Sequence, residues 1–106
     1  MVREEIKGLI DRYWNALTEN GIEVDSMYLF GSQATGNYHD ESDIDVMVVV
    51  PGTLAWNDDR KIQGQIIGYD IDPRFELWFI GANEFQILET PLVAYVRERG
   101  ELIKAA

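Results

Sequence analysis

Two aspartates one residue apart, Asp43 and Asp45, lead into the apolar run Val46 to Val50. In a strand, residues two apart face the same way, about 6.6 Å apart along the chain. Asp43 and Asp45 therefore share one side, and Ile44, Val46, Val48 and Val50 share the other. Charges flowing straight into buried chain are costly unless paired, and two carboxylates on one pleat repel each other. A hard cation such as Mg2+ relieves both problems. It takes carboxylate oxygens at about 2.0–2.1 Å and keeps positions open for phosphate and water. Two such ions about 3.5–4 Å apart would clamp the attacking and leaving oxygens of a phosphoryl or nucleotidyl transfer. The bland alternative is a solvated turn at the start of a strand.

Upstream, Gly31-Ser32 follows the short apolar stretch "MYLF". A glycine there allows a bend that a β-carbon would resist. A strand, Gly-Ser and a helical turn would point backbone N–H groups and the Ser32 hydroxyl towards a phosphate. There is no Gly-Lys-Ser/Thr, so this is not a Walker A loop, nor is it a dinucleotide-binding glycine pattern. Alone, "GSQATG" reads as a plain turn. The pairing is sharper: ten residues separate Ser32 from Asp43, so neighbouring strands would bring turn and carboxylates side by side.

The elements that must hold these groups are legible in outline. Residues 3 to 20 read as an amphipathic helix, with Ile6, Leu9, Ile10, Tyr13, Trp14 and Leu17 on one stripe and Asn20-Gly21 as the stop. Strands are expected at 27–30, 43–50 and roughly 71–80, with a helical turn at 32–36. Residues 54–68 are a weaker helix, interrupted by Gly64 and Gly68. Asn83 is expected to cap a short helix through Leu88, Pro91 to open a last helix to residue 99, and "ELI" to form a terminal strand. The order describes one compact α+β or α/β domain over residues 1–106.

Composition narrows the partners. With 9 Lys+Arg against 19 Asp+Glu, the formal net charge is −10, which argues against duplex nucleic acid, a ligand bound through cations that neutralise phosphates. A phosphate-bearing ligand would need a divalent ion or a local field opposing the global one. No apolar run is long enough to span a membrane, and no leader or cysteine points to an oxidising compartment, so a cytoplasmic location is expected.

Taken together, "FGSQATGNYHDESDIDVMVV" resembles the signature of the minimal nucleotidyltransferases, small members of the DNA polymerase beta-like nucleotidyltransferase superfamily. The resemblance implies their small nucleotidyltransferase fold, a short mixed sheet of three to four strands packed against helices. It implies a Mg2+-dependent transfer, by one or two ions, of a nucleoside monophosphate (AMP from ATP, or another NTP) to a hydroxyl acceptor. Asp43 and Asp45 would ligate metal, and Gly31 and Ser32 would bind the nucleotide. A third carboxylate completes the site in that family; Glu76 is the best match and Asp72 the second choice. Glu76 paired with Arg74 on a solvated face is the competing reading. Family loops often carry arginines between the two motifs, where this chain has Gln33, Thr35 and His39. The resemblance also implies a HEPN-type helical protein as partner, the nucleotidyltransferase acting as antitoxin, with a homo-oligomer as the other way to wall an open site.

Other residues have simpler expectations. Trp14 is expected in the core, and Trp56 and Trp78 in core or interface packing, with stacking on a nucleobase as the alternative. Arg60 and Lys61 are a solvated pair and the obvious candidates for a triphosphate tail. His39 is expected to be an exposed loop residue. Besides the enzyme, two readings remain open: an acidic antitoxin or adaptor that acts by binding alone, and a metal-dependent glycosyltransferase, for which the chain is short.

Overall fold

A computed structural model describes residues 2–39 and 41–106. Helix α1 (Glu4–Glu19) is followed by β1 (Ser26–Phe30), the short helix α2 (Ser32–Thr35), β2 (Ile44–Val50), α3 (Asp59–Ile71), β3 (Phe75–Gly81), α4 (Ala82–Ile87), α5 (Pro91–Arg99) and β4 (Glu101–Ala105). The sheet order is β3-β2-β1-β4. β1 runs antiparallel to β2 and β4, and β2 runs parallel to β3. The expected mixed sheet of α+β type is thus present, with its fourth strand from the C-terminal "ELI" segment.

The alternation of β2 sorts two cores. Ile44, Val46, Val48 and Val50 join Ile6, Ile10, Tyr13 and Leu17 of α1 on one face. Met47 and Val49 join Phe30, Phe85, Val93 and Val96 on the other, under α4 and α5. Helix α3 starts and ends later than the expected 54–68, and it runs unbroken through both glycines. Gly64 and Gly68 are its buried residues, and a β-carbon at either would collide with the Phe79 ring or the Leu77 side chain. Each glycine costs a helix about 1 kcal/mol relative to alanine, but here it lets α3 lie directly on β3. The Tyr13 hydroxyl fixes the contact, donating to the Gly64 carbonyl at 2.7 Å.

Three expectations need correction. The third strand starts at Phe75, not 71: Ile71 ends α3, Asp72 caps it, and Pro73-Arg74 form the turn into β3. Asn83 is not a cap, because α4 already starts at Ala82 with Gly81 at the cap position; its side chain instead donates to Thr53 Oγ1 at 3.0 Å. Trp14 is less buried than expected, whereas Trp56 and Trp78 lie at the surface, where only the interface half of their expected packing remains open. Trp14 is half-buried at the core's margin, with Lys104 Nζ 5.9 Å from its ring, while Trp56 and Trp78 are 86% and 36% exposed.

Candidate active site

Asp43 immediately precedes β2 and is exposed; Asp45 is the strand's second residue and is half-buried. β2 is flanked on both sides, so Asp45 has a fixed neighbour on each: Phe30 of β1 and Glu76 of β3. Adjacent strands lie about 4.8 Å apart and registered residues point to the same face. Glu76 is therefore brought beside Asp45, with its own side chain exposed. Burial first, then the charges of Asp43 and Glu76, push the Asp45 carboxyl up from 3.8 to about 6. Asp45 thus feels both of the other acids, and no described residue donates a hydrogen bond or ion pair to any of the three.

Gly31 closes the site from the β1 side. Its φ is +74°, a left-handed value that disfavours side chains. A β-carbon there would also overlap the Asp45 carboxylate oxygen. The bend is thus demanded twice, by backbone and by space. The N–H groups of Ala34 and Thr35 both donate to the Gly31 carbonyl, which leaves the Ser32 and Gln33 amides without an acceptor inside the turn. The Ser32 hydroxyl makes no hydrogen bond to a described residue.

The residues that hold the turn in place had no clear sequence signal. Gln33 is 1% exposed. Its Nε2 donates to the Ser42 carbonyl at 3.3 Å and its Oε1 accepts from Arg3 at 3.2 Å. Ser42 Oγ in turn accepts the His39 amide at 2.8 Å, and Arg3 lies 3.9 Å over the Tyr38 ring. Through Gln33 the glycine turn is tied to the residue just before Asp43. A four-residue helix has no period to read, so only the structure reveals that Gln33 points inward rather than towards a phosphate.

The remaining candidates lie apart from this cluster. Asp72 caps α3 and forms a bidentate pair with Arg74 at 2.9 and 3.0 Å, which holds its carboxyl below the usual range. Arg74 also reaches Glu5 at 3.1 Å. Asp72 is thus part of a cap and ion-pair network at the α3–β3 turn, and Glu76 alone occupies the register position beside Asp45. Arg60 is held by Asp58 at 2.9 Å. His39 is an exposed loop residue, as expected, and its Nδ1 accepts the Glu41 amide at 3.3 Å.

Three carboxylates on one edge, with no cation among them, are a hard oxygen donor set suited to Mg2+ or a similar ion. Among the described residues no three acidic or imidazole groups are drawn tightly enough to hold an ion as they stand. The donors fit such an ion in kind and in charge.

The sequence model of the nucleotidyltransferase domain family matches residues 10–102. Among solved structures, the chain is similar to a toxin–antitoxin complex with AMP-PNP (24% identity, 94% of this chain and 73% of that one, TM-score 0.64). It is similar to a nucleotidyltransferase-like protein from Sulfolobus solfataricus (22%, 77% and 72%, TM-score 0.60). It is also similar to the MntA-HepT toxin–antitoxin (22%, 98% and 74%, TM-score 0.59). At these identities the likeness is one of fold. No curated protein matched.

Proposed function

The chain belongs to the nucleotidyltransferase domain family, and from that premise we propose that it transfers a nucleoside monophosphate, AMP from ATP, to a hydroxyl acceptor. The observation that carries this reading is the junction of Gly31, Asp45 and Glu76: a side-chain-free bend over one carboxylate, with a second in register beside it. Asp43, Asp45 and Glu76 are the residues that would hold magnesium, as one ion or two. When bound, the metal would neutralise these carboxylates and the phosphates and withdraw charge from the reacting centre.

The chain's own groups supply positioning. The free Ser32 and Gln33 amides and the Ser32 hydroxyl hold the triphosphate, and the Gln33 tie to Ser42 keeps that turn at a fixed distance from Asp43. Glu76, exposed at the rim, takes the proton from the acceptor hydroxyl. The acceptor oxygen bonds to the α-phosphorus as the bond to the bridging oxygen breaks and pyrophosphate leaves. Alignment and charge complementarity account for most of the acceleration in such a site.

A HEPN-type helical protein is the proposed partner, a reading supported by the fold shared with toxin–antitoxin complexes. Incubation with each labelled nucleoside triphosphate, Mg2+ and that partner should transfer label to the partner, and Asp45→Asn should abolish it. Absence of transfer from every nucleotide would sink the reading. One observation favours a second: Gln33 faces inward and no described cation pairs with the carboxylates, as an acidic antitoxin acting by binding alone would allow. Asp43→Asn separates the two, since a pure binder keeps its neutralising effect and a transferase loses it.

A further inference from the structure

A concavity of about 290 Å3 opens on the sheet face that carries the acids, lined among others by Met47, Trp56, Lys61, Trp78 and Glu84. Met47 follows Asp45 and Trp78 follows Glu76 by one pleat, about 6.6 Å along each strand. The register pairs Met47 with Trp78 just as it pairs Asp45 with Glu76. The groove is therefore a continuation of the acidic edge. Trp78 rests one side of its indole on Phe30, ring centroids 5.3 Å apart, and Phe30 is itself the β1 neighbour of Asp45.

The facing wall is built in advance. Gly52 and Thr53 are stapled to α4 by the Asn83 amide, 3.0 Å from the Gly52 carbonyl, and by the Asn83 side chain, 3.0 Å from Thr53 Oγ1. Glu84 Oε1 accepts the Leu54 amide at 3.0 Å. Lys61 Nζ donates to the Trp56 carbonyl at 3.2 Å, which fixes the backbone that carries an indole left 86% exposed. An indole so exposed contributes little to the packing of this chain, and two indoles in one groove offer broad π faces to a planar ring.

We propose that this groove binds the base of the nucleotide whose phosphates lie at the carboxylates, and that the base is an amino-bearing purine stacked on Trp56 and Trp78. The proposal rests on the nucleotidyltransferase reading and specifies its substrate. A purine gives two fused rings to stack, and its exocyclic amino group can donate to the second oxygen of Glu84, an acceptor at the groove.

Tryptophan emission provides the readout, since Trp14 lies in α1 against the opposite core. Adenosine without metal should quench the emission of the intact chain. With Mg2+, ATP should bind more tightly than UTP. Trp56→Ala should weaken ATP roughly tenfold, the scale of one lost stacking contact, and leave tripolyphosphate affinity unchanged; Trp78→Leu is the second variant. Equal affinity for ATP and UTP, no response to adenosine, or ATP binding within twofold of the parent in both variants would each overturn the groove. If adenosine quenches through Trp56 while neither Mg2+-tripolyphosphate binding nor Asp45→Asn has any effect, the groove stands and the carboxylate reading falls.

Discussion

Replacing Asp45 by Asn keeps the side chain's shape and removes its charge, and the apo protein should become more stable. The Asp45 carboxyl is pushed to about 6 from 3.8, roughly two pH units. At ~1.36 kcal/mol per unit the full penalty of ionising it in the fold approaches ~3 kcal/mol. The group is half-exposed, and solvent screening cuts that by about half, to about 1–1.5 kcal/mol. The sign follows from linkage. A raised folded-state value means that the carboxyl favours folding below about pH 4, where both states are protonated, and that this advantage is lost as pH rises to about 6. In chelator at pH 7.5, Asp45→Asn should therefore melt about 5 °C above the parent, and the gap should close towards pH 4. Magnesium should narrow it from the other side by stabilising only the parent. Thermal melts of both proteins across pH 4–8, with chelator and with Mg2+, measure all three effects. An Asn variant that melts at or below the parent at pH 7.5 in chelator would refute the charge-cluster argument. So would a gap that persists unchanged to pH 4.

Gly31→Ala should lower stability by about 1–2 kcal/mol through its left-handed backbone alone, and by more through overlap with Asp45; denaturant titration reads the loss, and label transfer should vanish with it. Gly64→Ala should also destabilise, by about 1–3 kcal/mol from overpacking against Phe79, although alanine is the better helix former; an unchanged or higher melting temperature would show that α3 can lift from β3 freely. Asp72→Asn should lose the stability of the Arg74 pair. Because the Asp72 carboxyl is held below its ordinary value, the contribution is present above about pH 4 and fades as pH falls through the folded-state value. The gap between parent and variant in pH-dependent melts should shrink on the acid side, as for Asp45, but with the opposite sign, the parent being the more stable protein at neutral pH.

The facing of Asp45 was readable because period-two alternation leaves no choice once Ile44, Val46 and Val48 must be buried; Asp43 lies just ahead of the strand. The glycine bend was readable from Gly31 after an apolar strand. What failed was local. Ile71 and Phe75 are both apolar, so the end of α3 looked like the start of a strand, and the two glycines obscured the bounds of the helix that Asp72 caps. Glu76 lies beside Asp45 only through the pairing of β3 with β2, a long-range register that no single segment carries. Trp56 and Trp78 were expected to pack because large aromatics usually do. Their exposure depends on where the loop after β2 is stapled to α4, through Asn83, a residue that looked like a cap.

The repulsion at the edge and the burial behind it are parts of one arrangement. Ile44, Val46, Val48 and Val50 are each 0% exposed, and a fully buried aliphatic side chain contributes about 1.5–3 kcal/mol. Four of them outweigh the 1–1.5 kcal/mol that the Asp45 charge takes away. A slip of one residue would turn Asp45 into that core and Val46 towards the solvent, so the acids cannot relax by shifting register. They cannot separate sideways either, because β2 is bonded on both edges, to β1 and to β3. The sheet therefore holds three like charges together without a counter-charge among the described residues. A cation bound at this edge would therefore relieve a repulsion that the fold itself cannot relax.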